Sequence, residues 1–206
     1  MQVNDISGVI LAGGLGSRLG GEDKGLVEVA GLSMVAHVLR RFRPQVGALV
    51  INANRNLARY REFGFPVVTD SNSDFAGPLA GMSAALNQCS TRYLATSPCD
   101  APFLPTDFVA RLADALEDSK ADIAIALGAG RPQPAFTLMS TSVHTSLTKF
   151  LNDGGRKISS WYRQQAHVEV DFGIDSTPFA NINLPEDLAA ANDGSNASAR
   201  TTSPES

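Results

Sequence analysis

The stretch that most constrains this chain is VILAGGLGSRLGGEDKG, Val9 to Gly25. Val9, Ile10 and Leu11 are apolar and β-prone, with no polar alternation, which predicts a strand buried on both faces. Ala12, Gly13 and Gly14 follow, and their missing side chains let a ligand lie against the backbone. The loop then carries Gly16, Arg18, Gly20 and Gly21 and ends at Asp23-Lys24-Gly25. A buried strand opening into a Gly-rich loop with two cations suits a polyphosphate. Backbone N–H groups bind its oxygens, and Arg18 and Lys24 offset its charge.

Neither common phosphate loop fits. Gly14-Leu15-Gly16-Ser17-Arg18-Leu19-Gly20 misses the dinucleotide fingerprint on spacing. Lys24 follows Asp23 and precedes Gly25, so the G-x-x-x-x-G-K-[ST] pattern fails as well.

The rest of the chain alternates strands with helices. Strands are expected at Leu26–Val29, Ala48–Ile51, Val67–Thr69, Tyr93–Thr96 and Ile123–Leu127. Helices are expected from Met34 to Phe42, Leu57 to Glu62, Pro78 to Asn87 and Pro105 to Asp118. That order predicts an α/β fold, a mostly parallel sheet covered by helices on both faces. Pro132 to Met139 reads as extended and antiparallel. Ser142–Asn152 and Ile158–Gln164 read as helices, and His167–Phe172 alternates as a strand. A last helix is expected from Pro185 to Ala191. From Asn192 the chain turns to Asn, Ser, Thr, Gly and Pro, which predicts a disordered tail over 192–206. One domain over 1–191 is expected.

Composition narrows the partners. A net charge of −4 over 206 residues argues against a nucleic-acid-coating surface, so a few placed cations must hold any phosphate. Cys89 and Cys99, the two cysteines, make neither a disulfide framework nor a metal cluster. The N-terminus has no secretory pattern and no apolar run spans a bilayer, so a cytoplasmic, membrane-free protein is expected. His37, alone on its helix, is assigned no role.

Three apolar runs end in Asn52, Asp70 and Asp100. Ligands of open parallel sheets bind beyond the carboxyl ends of the strands, so these residues and the Gly loop are expected to line one cleft. Asp100 is the candidate Mg²⁺ ligand, because a strand-end carboxylate beside a triphosphate supplies one or two oxygens while phosphates and water complete the shell. Asn52 and Asp70 could read the base or ribose, because a carboxylate or carbonyl accepts from donors such as guanine N1–H and N2–H₂.

Leu11-Ala12-Gly13-Gly14, Arg18, Gly20-Gly21 and Asp23-Lys24 resemble the L-A-G-G-x-x-x-R-x-G-G-x-D-K signature of the molybdenum cofactor guanylyltransferase family. This MobA-like family lies within the nucleotidylyltransferases of three-layer, Rossmann-like fold. Pro98-Cys99-Asp100-Ala101-Pro102 is similar to the family's metal motif. The doubled Gly13-Gly14 resembles the guanylyl branch rather than the cytidylyl one. The resemblance implies that Leu11, Ala12, Gly13, Gly14, Lys24, Asn52, Asp70 and Asp100 contact GTP. Arg18, Lys24 and Asp100 would be the catalytic residues. Gly77 and Gly81, in Gly77-Pro78-Leu79-Ala80-Gly81, and the pair Asn181 and Asn183 would face the acceptor pterin. It implies transfer of GMP from GTP to the phosphate of molybdenum–molybdopterin, with Mg²⁺ as cofactor. The implied protein partners are those of molybdopterin synthesis and the molybdoenzymes. The rivals are cytidylyl transfer, transfer to a sugar phosphate, and a GTP-binding or cofactor-carrying protein without turnover.

Overall fold

The computed structural model describes residues 1–12, 23–70, 77–173 and 179. The strand predicted from Val9 begins earlier, as β1, Ile6–Leu11, and every residue but Leu11 is buried. Its alternate side chains enter different cores. Ile6 and Ile10 join the cluster on one sheet face and Val9 joins the cluster on the other. That explains an unbroken apolar run with no polar alternation.

Lys24–Leu26 forms a 3₁₀ turn, so only Glu28–Val29 (β2) of the predicted Leu26–Val29 strand is extended. It pairs with β3, Leu32–Ser33, across Ala30 and Gly31, both left-handed. Helix α1, Met34–Phe42, buries Val35, Val38, Leu39 and Phe42, the predicted face. His37 Nε2 donates to the Val29 carbonyl at 2.7 Å and ties α1 to the hairpin.

The chain continues through β4 (Ala48–Asn52), α2 (Leu57–Arg61), β5 (Val67–Val68), α3 (Pro78–Gln88) and β6 (Tyr93–Pro98). Helix α4 spans Phe108–Ser119, three residues later than Pro105 predicts. Residues 105–108 instead form a turn closed by Phe108 N–H on the Pro105 carbonyl. Gln45 Oε1 accepts from Val109 N–H at 2.8 Å, so another segment caps this helix. Then follow β7 (Ile123–Gly128), β8 (Arg131–Ser140), α5 (His144–Asn152), α6 (Ile158–Tyr162) and β9 (His167–Asp171). The expected helix at Pro185–Ala191 and the tail lie outside the described residues.

The main sheet has the order β5-β4-β1-β6-β8-β7-β9. Only β8 runs against its neighbours. Ala129 and Gly130, both at positive φ, turn β7 tightly back into β8. Pro132 and Pro134 fit inside β8 because β6 pairs with it only over Thr137–Ser140, while the register against β7 shifts between Ile125 and Ala126. The carbonyls freed there are capped by side chains: Tyr162 Oη donates to Pro134 and Thr96 Oγ1 to Ala135, each at 2.7 Å.

Phe108 is fully buried and its ring meets Phe42, Phe136, Phe172 and Phe179 at centroid distances of 6.0–6.4 Å. It joins α1, α4 and β8 in one cluster. Phe108→Ala is expected to destabilise the fold by about 3–5 kcal/mol, the range for a large aromatic lost from a packed core. Urea unfolding of the variant beside the native chain checks it.

Candidate active site

The strand registers set the site. Leu11 pairs with Asn52 on one side and with Pro98 on the other, and Asn52 pairs with Val68. The carboxyl ends of β5, β4, β1 and β6 are therefore level. Backbone bonds continue past them: Ala12 N–H donates to the Asn52 carbonyl at 2.7 Å, Cys99 N–H to Leu11 at 3.1 Å, and Ala53 N–H to Val68 at 3.0 Å. These bonds hold Asn52, Asp70 and Asp100 beyond one edge of the sheet.

Lys24 and Asp100, 76 residues apart in sequence, meet there. The Lys24 ammonium donates to Asp100 Oδ2 at 3.4 Å, and both side chains are largely shielded from water. Burial pushes the Asp100 carboxyl above the usual carboxylate range, and the Lys24 charge draws it partly back. A carboxylate kept short of solvent and balanced by one cation is poised to bind an incoming cation.

Asp23, next to Lys24, is buried. Tyr60 Oη donates to its Oδ1 at 2.5 Å and Asn56 Nδ2 to its Oδ2 at 3.0 Å, while Arg55 Nε lies 3.6 Å from Oδ2. Gly25 packs so tightly that a Cβ there would sit 2.5 Å from Tyr60 Oη and 3.2 Å from Cys99 Sγ. The buried Cys99 thiol is raised well above its usual range by burial and by the neighbouring Asp100. It acts here as a small apolar filler.

A second group surrounds Asn52. Its Nδ2 donates to Asp70 Oδ1 at 2.8 Å and to the Val68 carbonyl at 3.3 Å. Asn54 Nδ2 donates to Asp70 Oδ2 at 2.8 Å, and Asp70 N–H returns a bond to Asn54 Oδ1 at 2.9 Å. The Asp70 carboxylate thus has a fixed plane with lone pairs left to accept from a ligand. Gly81, in the first turn of α3, lies against Asn52 and Leu11; a Cβ would stand 2.1 Å from Asn52 Oδ1. The missing side chain makes room for Asn52. Gly77 has φ +69 and ψ −161 and turns the chain into α3, with Pro78 at the first helical position. Gly81→Ala is expected to push Asn52 away from Asp70 and to destabilise the fold by about 1–3 kcal/mol, as overpacking does. GTP affinity by calorimetry and a thermal melt measure both consequences.

The structure thus brings Leu11, Ala12, Lys24, Asn52, Asp70, Gly81 and Asp100 to one edge. Gly13, Gly14, Arg18, Asn181 and Asn183 lie outside the described residues. Asn54, Asn56 and Tyr60 carry part of the site and gave no signal in sequence beyond the short N-A-N-R-N run after β4. Asp23 did appear in the motif, without a role.

A Lys24–Asp100 pair beside the polar strand ends Asn52 and Asp70, at the carboxyl edge of a mostly parallel sheet, is the arrangement expected of a nucleotidyltransferase, and the class itself is shown by the comparisons. Residues 8–169 match the MobA-like NTP transferase domain. The molybdenum cofactor guanylyltransferase of Cupriavidus metallidurans is 54% identical over 190 residues, covering 90% of this chain and 93% of that relative. That of Ralstonia pickettii is 53% identical over 194 residues, covering 90% and 95%. Among solved structures, the molybdopterin-guanine dinucleotide biosynthesis protein A of Archaeoglobus fulgidus superposes with a TM-score of 0.77 at 23% identity, over 93% of this chain and 99% of that one. The 4-diphosphocytidyl-2C-methyl-D-erythritol synthase of Anaerococcus prevotii gives 0.72 at 13% identity, over 94% and 96%. At those identities the solved structures establish the fold. The chain belongs to the MobA-like family of molybdenum cofactor guanylyltransferases.

Among the described residues no helix is long and apolar enough to cross a membrane.

Proposed function

We propose that the chain transfers GMP from GTP to the phosphate of molybdenum–molybdopterin, forming the guanine dinucleotide of the cofactor and releasing pyrophosphate. The observation that carries this reading is the Lys24–Asp100 pair at 3.4 Å on the edge where Leu11, Asn52 and Asp70 also end. Relatives more than half identical over nine-tenths of the chain carry the guanylyltransferase name, which supports the choice of nucleotide.

The acceptor phosphate is an anion at neutral pH, so no strong general base is required. Alignment and charge neutralisation supply the rate. The Leu11–Gly14 backbone cradles the nucleotide, Lys24 holds the α-phosphate region, and Arg18 holds the β- and γ-phosphates. Asn52 and Asp70 read the nucleoside, and the Asp70 carboxylate suits the N1–H and N2–H₂ donors of guanine. Gly77, Gly81, Asn181 and Asn183 face the pterin; apart from those two glycines, residues from about 1 to 100 serve the nucleotide and from about 101 to 191 the acceptor within one unit.

The donor set fits Mg²⁺. Asp100 offers one hard carboxylate, and no group of three or more His, Cys, Asp or Glu able to cage a metal stands among the described residues. That suits an ion that keeps water and takes its other ligands from substrate phosphates. Asp100 would hold the ion, whose charge when bound offsets that of the phosphates and the departing pyrophosphate. Reaction in the cytoplasm, with handover to molybdoenzymes, completes the reading.

The test is incubation with purified molybdenum–molybdopterin and Mg²⁺, with GTP or CTP in turn, followed by mass measurement of the dinucleotide. The guanine product is expected. A cytosine product assigns the rival transfer, and GTP binding without any pyrophosphate assigns a carrier.

A further inference from the structure

We infer that Asp23 is a positioning residue for Lys24, fastened by α2 and the loop that leads into it from β4. The inference rests on the reading that Lys24 contacts the nucleotide.

The Asp23 side chain is 3% exposed. A carboxylate that deeply buried is stable only when its oxygens are matched, and both are. Tyr60 donates to one and Asn56 to the other, with the Arg55 guanidinium alongside. Burial and the neighbouring Cys99 and Asp23 push the Tyr60 hydroxyl up in pKa, so it stays a donor.

Asn56 adds a second observation. It is a non-glycine residue with φ +50, in the left-handed region, and it is the N-cap of α2. An N-cap Asn ordinarily gives its side chain to its own helix. This one makes no side-chain cap and turns its amide to Asp23 instead. The left-handed backbone aims it there, at the cost of local strain.

Asp23 passes that fixed position to its neighbour. Its carbonyl accepts from Leu26 N–H at 2.9 Å and the Lys24 carbonyl accepts from Val27 N–H at 3.2 Å, closing the 3₁₀ turn that carries Lys24. Gly25 rests on Tyr60 and Cys99, so the turn has no room to slide. The end of β4 and the same loop, through Asn52 and Asn54, hold Asp70. The segment from Asn52 to Tyr60 therefore sets the cation and the nucleoside-reading carboxylate against the same strand end.

Two substitutions loosen Asp23 without emptying the core. Tyr60→Phe removes only the hydroxyl. Asn56→Gly removes the amide and relieves the left-handed strain. Each is made in the native sequence and in a Lys24→Met background, and GTP affinity is measured by calorimetry with Mg²⁺. With Lys24 present, each is expected to weaken GTP binding about tenfold, the worth of one hydrogen bond to a charged group. In the Lys24→Met background the loss is expected to stay within about twofold, because the effect travels through the missing ammonium. Amide hydrogen exchange at residues 24–26 is expected to quicken while the melting temperature of Asn56→Gly holds. Equal losses in both backgrounds, no loss with Lys24 present, or unchanged exchange at 24–26 would overturn the inference. Pyrophosphate release by the native chain is scored separately, so a failure of the transfer reading leaves the exchange result standing.

Discussion

Asp100→Asn is expected to lower kcat by about 10³-fold, the loss seen when charge stabilisation of a transition state is removed, with the fold intact. The amide keeps the size of the side chain but offers no anionic oxygen to a divalent ion. Burial holds the Asp100 carboxyl above its usual range even against Lys24. The folded chain therefore binds that proton more tightly than the unfolded chain does. Its favourable contribution is complete below the unfolded value and is lost as pH rises through the folded one. At neutral pH the ionised carboxylate is thus a burden on the fold, and the Asn variant should melt at or above the native temperature. Loss of turnover together with a lower melting temperature would mark Asp100 as a structural residue instead. Turnover within a few-fold of native would remove it from catalysis.

Lys24→Met is expected to reduce kcat/KM for GTP by about 10²–10³-fold, because one preorganised cation is lost from a poorly hydrated site. It also has a pH signature. Lys24 lowers the Asp100 carboxyl, first by its charge and then by its hydrogen bond. Without it the carboxyl rises further. The acidic limb of the residual activity, where Asp100 protonates, should therefore lie at higher pH in the variant than in the native enzyme. Limbs at the same pH would mean that the two groups do not share a site during turnover.

How much of this was legible in sequence depends on range. The 3.6-residue spacing of Val35, Val38, Leu39 and Phe42 and the unbroken Val9-Ile10-Leu11 run are local patterns. The structure buries them as those patterns require. The polar ends of three strands were also local, and parallel registers bring them level. Asp23 illustrates the limit. Its sequence neighbours place it in a phosphate loop, yet its partners Asn56 and Tyr60 lie 33 and 37 residues away. Nothing in a single sequence pairs an aspartate with a tyrosine on a later helix. Gly81 is similar: it reads as a helix-start glycine, and only packing shows that Asn52 occupies the space of its absent side chain. The position of α4 went wrong by a turn because Pro105 is equally at home in a turn and at a helix start.

The most direct measurement is a crystal structure of the chain with GTP and Mg²⁺. The triphosphate is expected between Lys24 and Asp100, with the ion on an Asp100 oxygen and the guanine edge against Asp70. A nucleotide seated elsewhere, with the Lys24–Asp100 pair still closed, would contradict this.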